Sequence, residues 1–114
     1  MNNAIIFIKD EREKKLSNAP YLGGNLLLHA VNELRKIETI EHIYVVGYDS
    51  EIPGVIRKDT IMDVIKELDR EGKTLLVSPL YPEINGDDYL KLLNKEGDGA
   101  VITRENEEIG RAHV

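Results

Sequence analysis

The apolar positions fall into short blocks, and their spacing alternates along the chain. Ala4-Ile5-Ile6-Phe7-Ile8 is a continuous apolar run, rich in β-branched side chains, that stops at Lys9-Asp10. Such a run is expected of a strand buried on both faces of a parallel sheet. Ile43-Tyr44-Val45-Val46-Gly47 and Leu75-Leu76-Val77 repeat the pattern, and Ala100-Val101-Ile102-Thr103 supplies a fourth strand. Between the first two, Leu26, Leu27, Ala30, Val31, Leu34 and Ile37 recur at helical spacing. Asn25 caps that helix, and Asn32, Glu33, Arg35 and Lys36 fall on its other side. A second helix starts at Asp59 as cap, carries Ile61, Met62, Val64, Ile65 and Leu68, and stops near Gly72. A third begins at Asp87-Asp88, carries Tyr89, Leu90, Leu92 and Leu93, and ends at Gly97. Pro53-Gly54 marks a turn, and Val55-Ile56 the stub of an edge strand.

Strand and helix thus alternate from end to end. With short, right-handed connections this predicts a Rossmann-like, three-layer α/β/α fold with a mainly parallel sheet of four to five strands. Two stretches stand outside the alternation. Lys9 to Lys15 is a run of charged residues, read as a solvated turn or a remodelled ligand loop. Irregular backbone is expected after it, at Ser17-Asn18-Ala19-Pro20 and Gly23-Gly24. Arg104 to Val114 is read as a polar, acidic tail. No repeat, low-complexity segment or linker divides the sequence, so residues 1–114 are expected to form one domain.

Composition narrows the function classes. The chain is 41% apolar and 32% charged, a globular balance. The absence of cysteine excludes disulfide scaffolds, thiolate metal sites and cysteine nucleophiles. Fifteen basic residues against 21 acidic ones give a net charge of −6, which disfavours a nucleic-acid partner. No apolar run approaches a membrane span, and the first residues lack a basic n-region, so a cytoplasmic protein is expected. His29, His42 and His113 are widely spaced and are read as surface or half-buried histidines. Tyr44, Tyr48 and Tyr81 lie at or beyond strand ends, where they pack or line a crevice at the carboxyl edge of the sheet.

Several segments, in order, carry a resemblance. Gly23-Gly24-Asn25-Leu26-Leu27-Leu28-His29 resembles a Gly-Lys-Pro-Leu-Leu-Glu-His helix start, and Ile43 to Tyr48 a Val-Val-Gly strand. Leu75 to Ile84, with Pro82, resembles a strand ending in Gly-Asp-x-Pro, and Gly97 to Thr103 the strand after it. Together they resemble the first half of the sugar-phosphate nucleotidyltransferases, a nucleotide-diphospho-sugar transferase fold. The likeness extends to the uridyltransferase domain of the bifunctional N-acetylglucosamine-1-phosphate enzymes (UDP-N-acetylglucosamine pyrophosphorylases) and to its molybdenum-cofactor cousins.

The resemblance implies specific chemistry, and this sequence departs from it. The family's first loop is glycine-rich, so that backbone N–H groups reach the nucleotide phosphates, and it carries an arginine. Here the loop reads Asp10-Glu11-Arg12-Glu13-Lys14, with three carboxylates where phosphate would sit. Each like-charge contact at ~4 Å costs ~4 kcal/mol at an effective dielectric near 20. The lysine of Gly-Lys-Pro is Gly24, and Asn25 replaces the proline. The family's Mg²⁺-binding aspartate aligns with Leu80, so no cofactor, metal ligand or catalytic residue is expected here. Lys58 to Met62 resembles the family's Gly-Thr-Ala turn only through Thr60. Ile109-Gly110-Arg111 resembles a mid-domain Gly-Arg, which implies that the sugar-binding half is missing.

The leading expectation is a truncated, non-catalytic nucleotidyltransferase-like domain that serves binding, regulation or assembly. Its partner would be a second copy, paired through the Val101 strand or the tail, or a left-handed β-helix acyltransferase domain. One alternative is an active Mg²⁺-dependent enzyme with Glu83 or Asp87 as metal ligand and Lys14 as phosphate cation. Another is a module that senses a small ligand, a nucleotide or sugar nucleotide among the candidates, without turnover.

Overall fold

The computed structural model describes residues 2–68, 72–94, 100–104 and 107–113, the last two segments as backbone. In chain order the elements are β1 (Asn2–Phe7), α1 (Glu11–Ser17), β2 (Pro20–Tyr21), β3 (Gly24–Asn25), α2 (Leu26–Arg35) and β4 (Ile40–Val46). They continue with β5 (Ile56–Lys58), α3 (Ile61–Ile65), β6 (Thr74–Val77), α4 (Gly86–Leu93), β7 (Ala100–Arg104) and β8 (Glu107–His113).

The apolar runs become the middle of a sheet ordered β5-β4-β1-β6-β8-β7. β5, β4, β1 and β6 are parallel, with Ile6 opposite both Val45 and Val77. Successive residues of β1 are buried on opposite faces, which is why the run needs no polar alternation. On one face Ala4, Ile6, Val45, Leu75 and Val77 pack against Leu27, Val31 and Leu34 of α2 and Tyr89 and Leu92 of α4. On the other, Ile5, Tyr44 and Val46 meet Val64 of α3. Each fully buried aliphatic side chain contributes roughly 1.5–3 kcal/mol. This is the expected α/β architecture, a mainly parallel sheet with helices on both faces.

The structure corrects several local expectations. The charged run is a helix, α1, because Asp10 caps it and accepts from Glu13 N at 2.9 Å. The cap of α3 is Thr60, not Asp59; its Oγ1 accepts from Asp63 N at 3.2 Å. α3 is also shorter than expected, ending at Ile65. The cap of α4 is Asn85, and Asp88 closes a reciprocal capping box with it. α4 ends at Leu93 with Asn94 as C-cap, and the expected stop at Gly97 lies outside the described residues.

The larger correction concerns the tail. It forms β8, antiparallel to both β6 and β7, with Thr74 opposite His113 and Ala100 opposite Ala112. β8 supplies the backbone partners that β6 would otherwise lack on that side. The predicted fourth strand, β7, is at the sheet edge, with β8 between it and β6. Of the two segments expected to offer an edge for pairing, only the Val101 strand lies on one. Among the described residues, no helix is long and apolar enough to cross a membrane.

The expected irregular segment is a miniature hairpin, with Pro20 opposite Asn25 and Tyr21 opposite Gly24. Its turn, Leu22-Gly23, has positive φ at both residues, the pattern of a type I′ turn. Leu22 sits at φ 47° and is 82% exposed, a position suited to Asn. Leu22→Asn is expected to raise stability by about 0.5–1 kcal/mol. The check is a higher urea midpoint at unchanged denaturant slope.

Candidate functional site

In open α/β sheets the carboxyl ends of the strands open toward ligands. Here those ends frame a cleft of about 530 Å³. One wall is the end of β1 and the start of α1: Ile8, Lys9, Asp10, Glu11 and Lys14. The other is Gly47, Tyr48 and Asp49 after β4, with Arg57, Lys58 and Asp59 at the end of β5. Gly47 makes the floor narrow. It adopts φ +88°, and a Cβ there would sit 2.2 Å from the Ile8 carbonyl oxygen.

Asp10, Glu11 and Lys14 of the first wall are already engaged. Asp10 is the N-cap. Glu13 Oε1 accepts from Lys9 N at 3.0 Å, a reciprocal contact one residue ahead of the cap. Lys14 Nζ lies 2.8 Å from Asp49 Oδ2 and 3.1 Å from Glu11 Oε1. Hydrogen bonds to Asp49, then to Glu11, hold its ammonium pKa above the ordinary lysine range. A second link runs parallel: Tyr48 Oη donates to Asn18 Oδ1 at 2.8 Å. Lys58 is drawn toward Glu67, and that hydrogen bond raises its pKa.

The residues singled out in the sequence are scattered. Leu80 is half-buried in the turn after β6, where its N–H donates to Ser78 Oγ at 3.4 Å. Thr60 is engaged as the α3 cap. Asn25 caps α2, accepting from Leu28 N at 2.8 Å. Asp87 lies in a separate groove of about 180 Å³ between α2 and α4, beside Glu33 and Lys36. Neither Asp87 nor Glu83 lines the cleft that holds Lys14. Tyr48 lines the cleft, whereas Tyr44 is buried on the α3 face, where desolvation pushes its hydroxyl pKa up. His29 stacks edge-on against Tyr21 and donates from Nε2 to the Pro82 carbonyl at 3.1 Å. His42 is exposed on β4, 3.6 Å from Glu41 Oε1. Gly110 and Arg111 lie in β8, in register with Val77 and Leu76.

A Mg²⁺ ion of the kind the resemblance implies does not fit these residues. Leu80 offers no side-chain oxygen. Asp10 is held by the α1 amide, and Glu11 and Asp49 share the single ammonium of Lys14. Among the described residues, no three His, Asp or Glu side chains come together where they would hold a metal.

Sequence reasoning missed one polar anchor. Glu33, expected on the solvent face of α2, is buried. Its Oε1 accepts from Gly86 N at 3.1 Å and its Oε2 lies 2.5 Å from Lys36 Nζ. Its helical neighbours Ala30 and Ile37 are buried, so Glu33 borders the apolar stripe, and its acceptor role toward α4 emerges only in the fold.

With this geometry in hand, comparison with known proteins places the architecture. No family model matches the sequence. No curated protein matches it either. Solved structures share the fold. A 4-diphosphocytidyl-2C-methyl-D-erythritol synthase from Anaerococcus prevotii has a TM-score of 0.66 and 14% identity, over 99% of this chain and 69% of that one. Rv0371C from Mycobacterium tuberculosis H37Rv, in complex with manganese, has 0.62 and 9%, over 82% and 57%. A hypothetical transferase from Thermus thermophilus has 0.59 and 16%, over 89% and 49%. The chain therefore spans as little as half the length of the structures it matches. At such identities the likeness is one of fold, and the chain shares the mainly parallel α/β fold of these structures.

Proposed function

We propose that this chain is a non-catalytic nucleotidyltransferase-like domain, related to the UDP-N-acetylglucosamine pyrophosphorylases, that acts in binding, regulation or assembly. The observation that carries the reading is α1. A capped helix stands where the resemblance puts a glycine-rich phosphate loop, and its one inward cation, Lys14, is held by Glu11 and Asp49. Leu80 at the aligned metal position supports the same reading. In the assembly role, the partner is a second copy of the chain or a left-handed β-helix acyltransferase domain.

Isothermal titration with UTP and with UDP-N-acetylglucosamine, with and without Mg²⁺, tests this alongside a pyrophosphate-release assay. The expected result is no Mg²⁺-dependent heat and no pyrophosphate at millimolar nucleotide. Mg²⁺-dependent binding with turnover would restore the altered-site enzyme. A second reading, a sensor of a small ligand, is favoured by the open cleft lined by Lys9 and Arg57. It predicts a ligand-dependent rise in melting temperature without turnover.

A further inference from the structure

We propose that the chain forms a two-fold dimer through the outer face of α3 and the sheet beside it, with the α3 helices of the two copies running antiparallel. The proposal rests on the assembly role given above and names the surface that role uses.

Three observations carry it. First, the two faces of the sheet are covered unequally. One carries the ten residues of α2 and the eight of α4. The other carries, among the described residues, the five of α3. Val64 is the one buried residue of α3, and Phe7, Ile56, Ile61, Leu68 and Leu76 around it are only partly buried. Second, α3 turns apolar side chains outward. Met62 and Ile65, one turn apart, are 60% and 49% exposed. The helical turn continues through Leu68, whose N–H donates to Val64 O at 3.2 Å. Ile61, Ile65 and Leu68 therefore fall along one side of the helix and join Met62 to the half-covered sheet. A contiguous apolar patch of this kind marks an interaction surface.

Third, the charges beside the patch say what covers it. Asp59 and Asp63 stand at the amino end of α3 and Lys66 at its carboxyl end, and the three share one depression. Asp59 and Lys66 are exposed. Lys58 and Glu67, which line the same depression, are paired with each other. With acid at one end and base at the other, the surface is complementary to itself. A two-fold axis between Met62 and Ile65 brings Lys66 of each copy opposite Asp59 and Asp63 of the other. A parallel arrangement would set like charge against like. An apolar centre with a charged rim is also the usual make-up of an interface.

Sedimentation velocity over a dilution series of the full chain tests this. A small interface predicts a monomer–dimer equilibrium with a Kd of about micromolar order. Met62→Glu should weaken it about a hundredfold, because each dimer would bury two unpaired carboxylates. Met62 is outside the core, so the urea midpoint of the dilute monomer should not change. Asp59→Lys and Lys66→Glu should each weaken self-association about tenfold, since attraction becomes repulsion at both ends. Mixed together, these two variants restore opposite charge between positions 59 and 66, and should pair about as tightly as wild type.

A chain that stays monomeric at millimolar concentration overturns the proposal, and with it assembly through a second copy. A dimer that Met62→Glu leaves intact overturns this interface but keeps the assembly role, through another surface such as the β7 edge. A mixture that pairs no better than either variant alone overturns the antiparallel arrangement. Nucleotide turnover, by contrast, would sink the non-catalytic reading and leave the interface standing.

Discussion

Gly47→Ala is expected to destabilise the protein by about 3–5 kcal/mol. Two costs combine. At φ +88° an alanine is in a region that L side chains avoid. Its methyl would also lie 2.2 Å from the Ile8 carbonyl oxygen and 3.2 Å from the Ile8 carbonyl carbon. Those atoms are backbone, so no side-chain rotation relieves the clash. Relief requires parting the ends of β1 and β4, where Ile8 N donates to Val46 O at 3.0 Å. Gly54→Ala separates the two costs. Gly54 has φ +79°, but the nearest atom to an added Cβ is the flexible end of Arg35 at 3.0 Å. It should lose only about 1–2 kcal/mol, the conformational part. Urea midpoints of the two variants decide the matter. Equal losses would show that the close approach of Ile8 to Gly47 contributes nothing.

The second large effect is at Glu33. Glu33→Ala should cost about 2–3 kcal/mol, because it leaves the Gly86 N–H without its acceptor in a buried setting. The first turn of α4 loosens with it, and α4 brings Tyr89, Leu92 and Leu93 to the core. Glu33→Gln keeps an acceptor and should cost about 1 kcal/mol. The ion pair itself adds little, since the Lys36 side chain is 66% exposed.

The same anchor gives a pH dependence. The Lys36 hydrogen bond, aided by the Gly86 amide and opposed by burial, holds the Glu33 carboxyl below the usual range. A depressed carboxylate stabilises the fold fully above its unfolded pKa of ~4.3 and loses that contribution as pH falls through the folded value. The gap in urea midpoint between wild type and Glu33→Gln should therefore shrink as pH is lowered below ~4.3. A gap that stays constant, or widens in acid, would show that the charge of Glu33 plays no part.

The parallel core was legible because burial on both faces demands continuous apolar runs, and those of β1, β4 and β6 can be seen without any partner. The α2 stripe was legible for the same reason. What escaped depends on contacts between residues distant in sequence. β8 reads as a polar tail because its place is set by backbone pairing with β6 and β7, which leaves no apolar signature. α1 carries no amphipathic stripe, so the charged run suggested a turn. The Asp10-x-x-Glu13 spacing was the one local sign of a helix start. The missing glycines after β1 and Leu80 in the turn after β6 could be seen in the sequence. The salt bridge from Lys14 to Asp49 joins residues 35 apart, and its pairing emerges only in the fold.

The thin attachment of α1 also determines where this protein tolerates change. A segment that buries only Ser17 can be rewritten without opening a cavity in the core. Stability resides in the strands and in α2 and α4, whereas Asp10, Glu11 and Lys14 supply one wall of the cleft. The two can be altered separately. Grafting a glycine-rich, arginine-bearing loop into that segment would change what the cleft recognises while leaving the sheet beneath it intact, which makes the domain a modular platform.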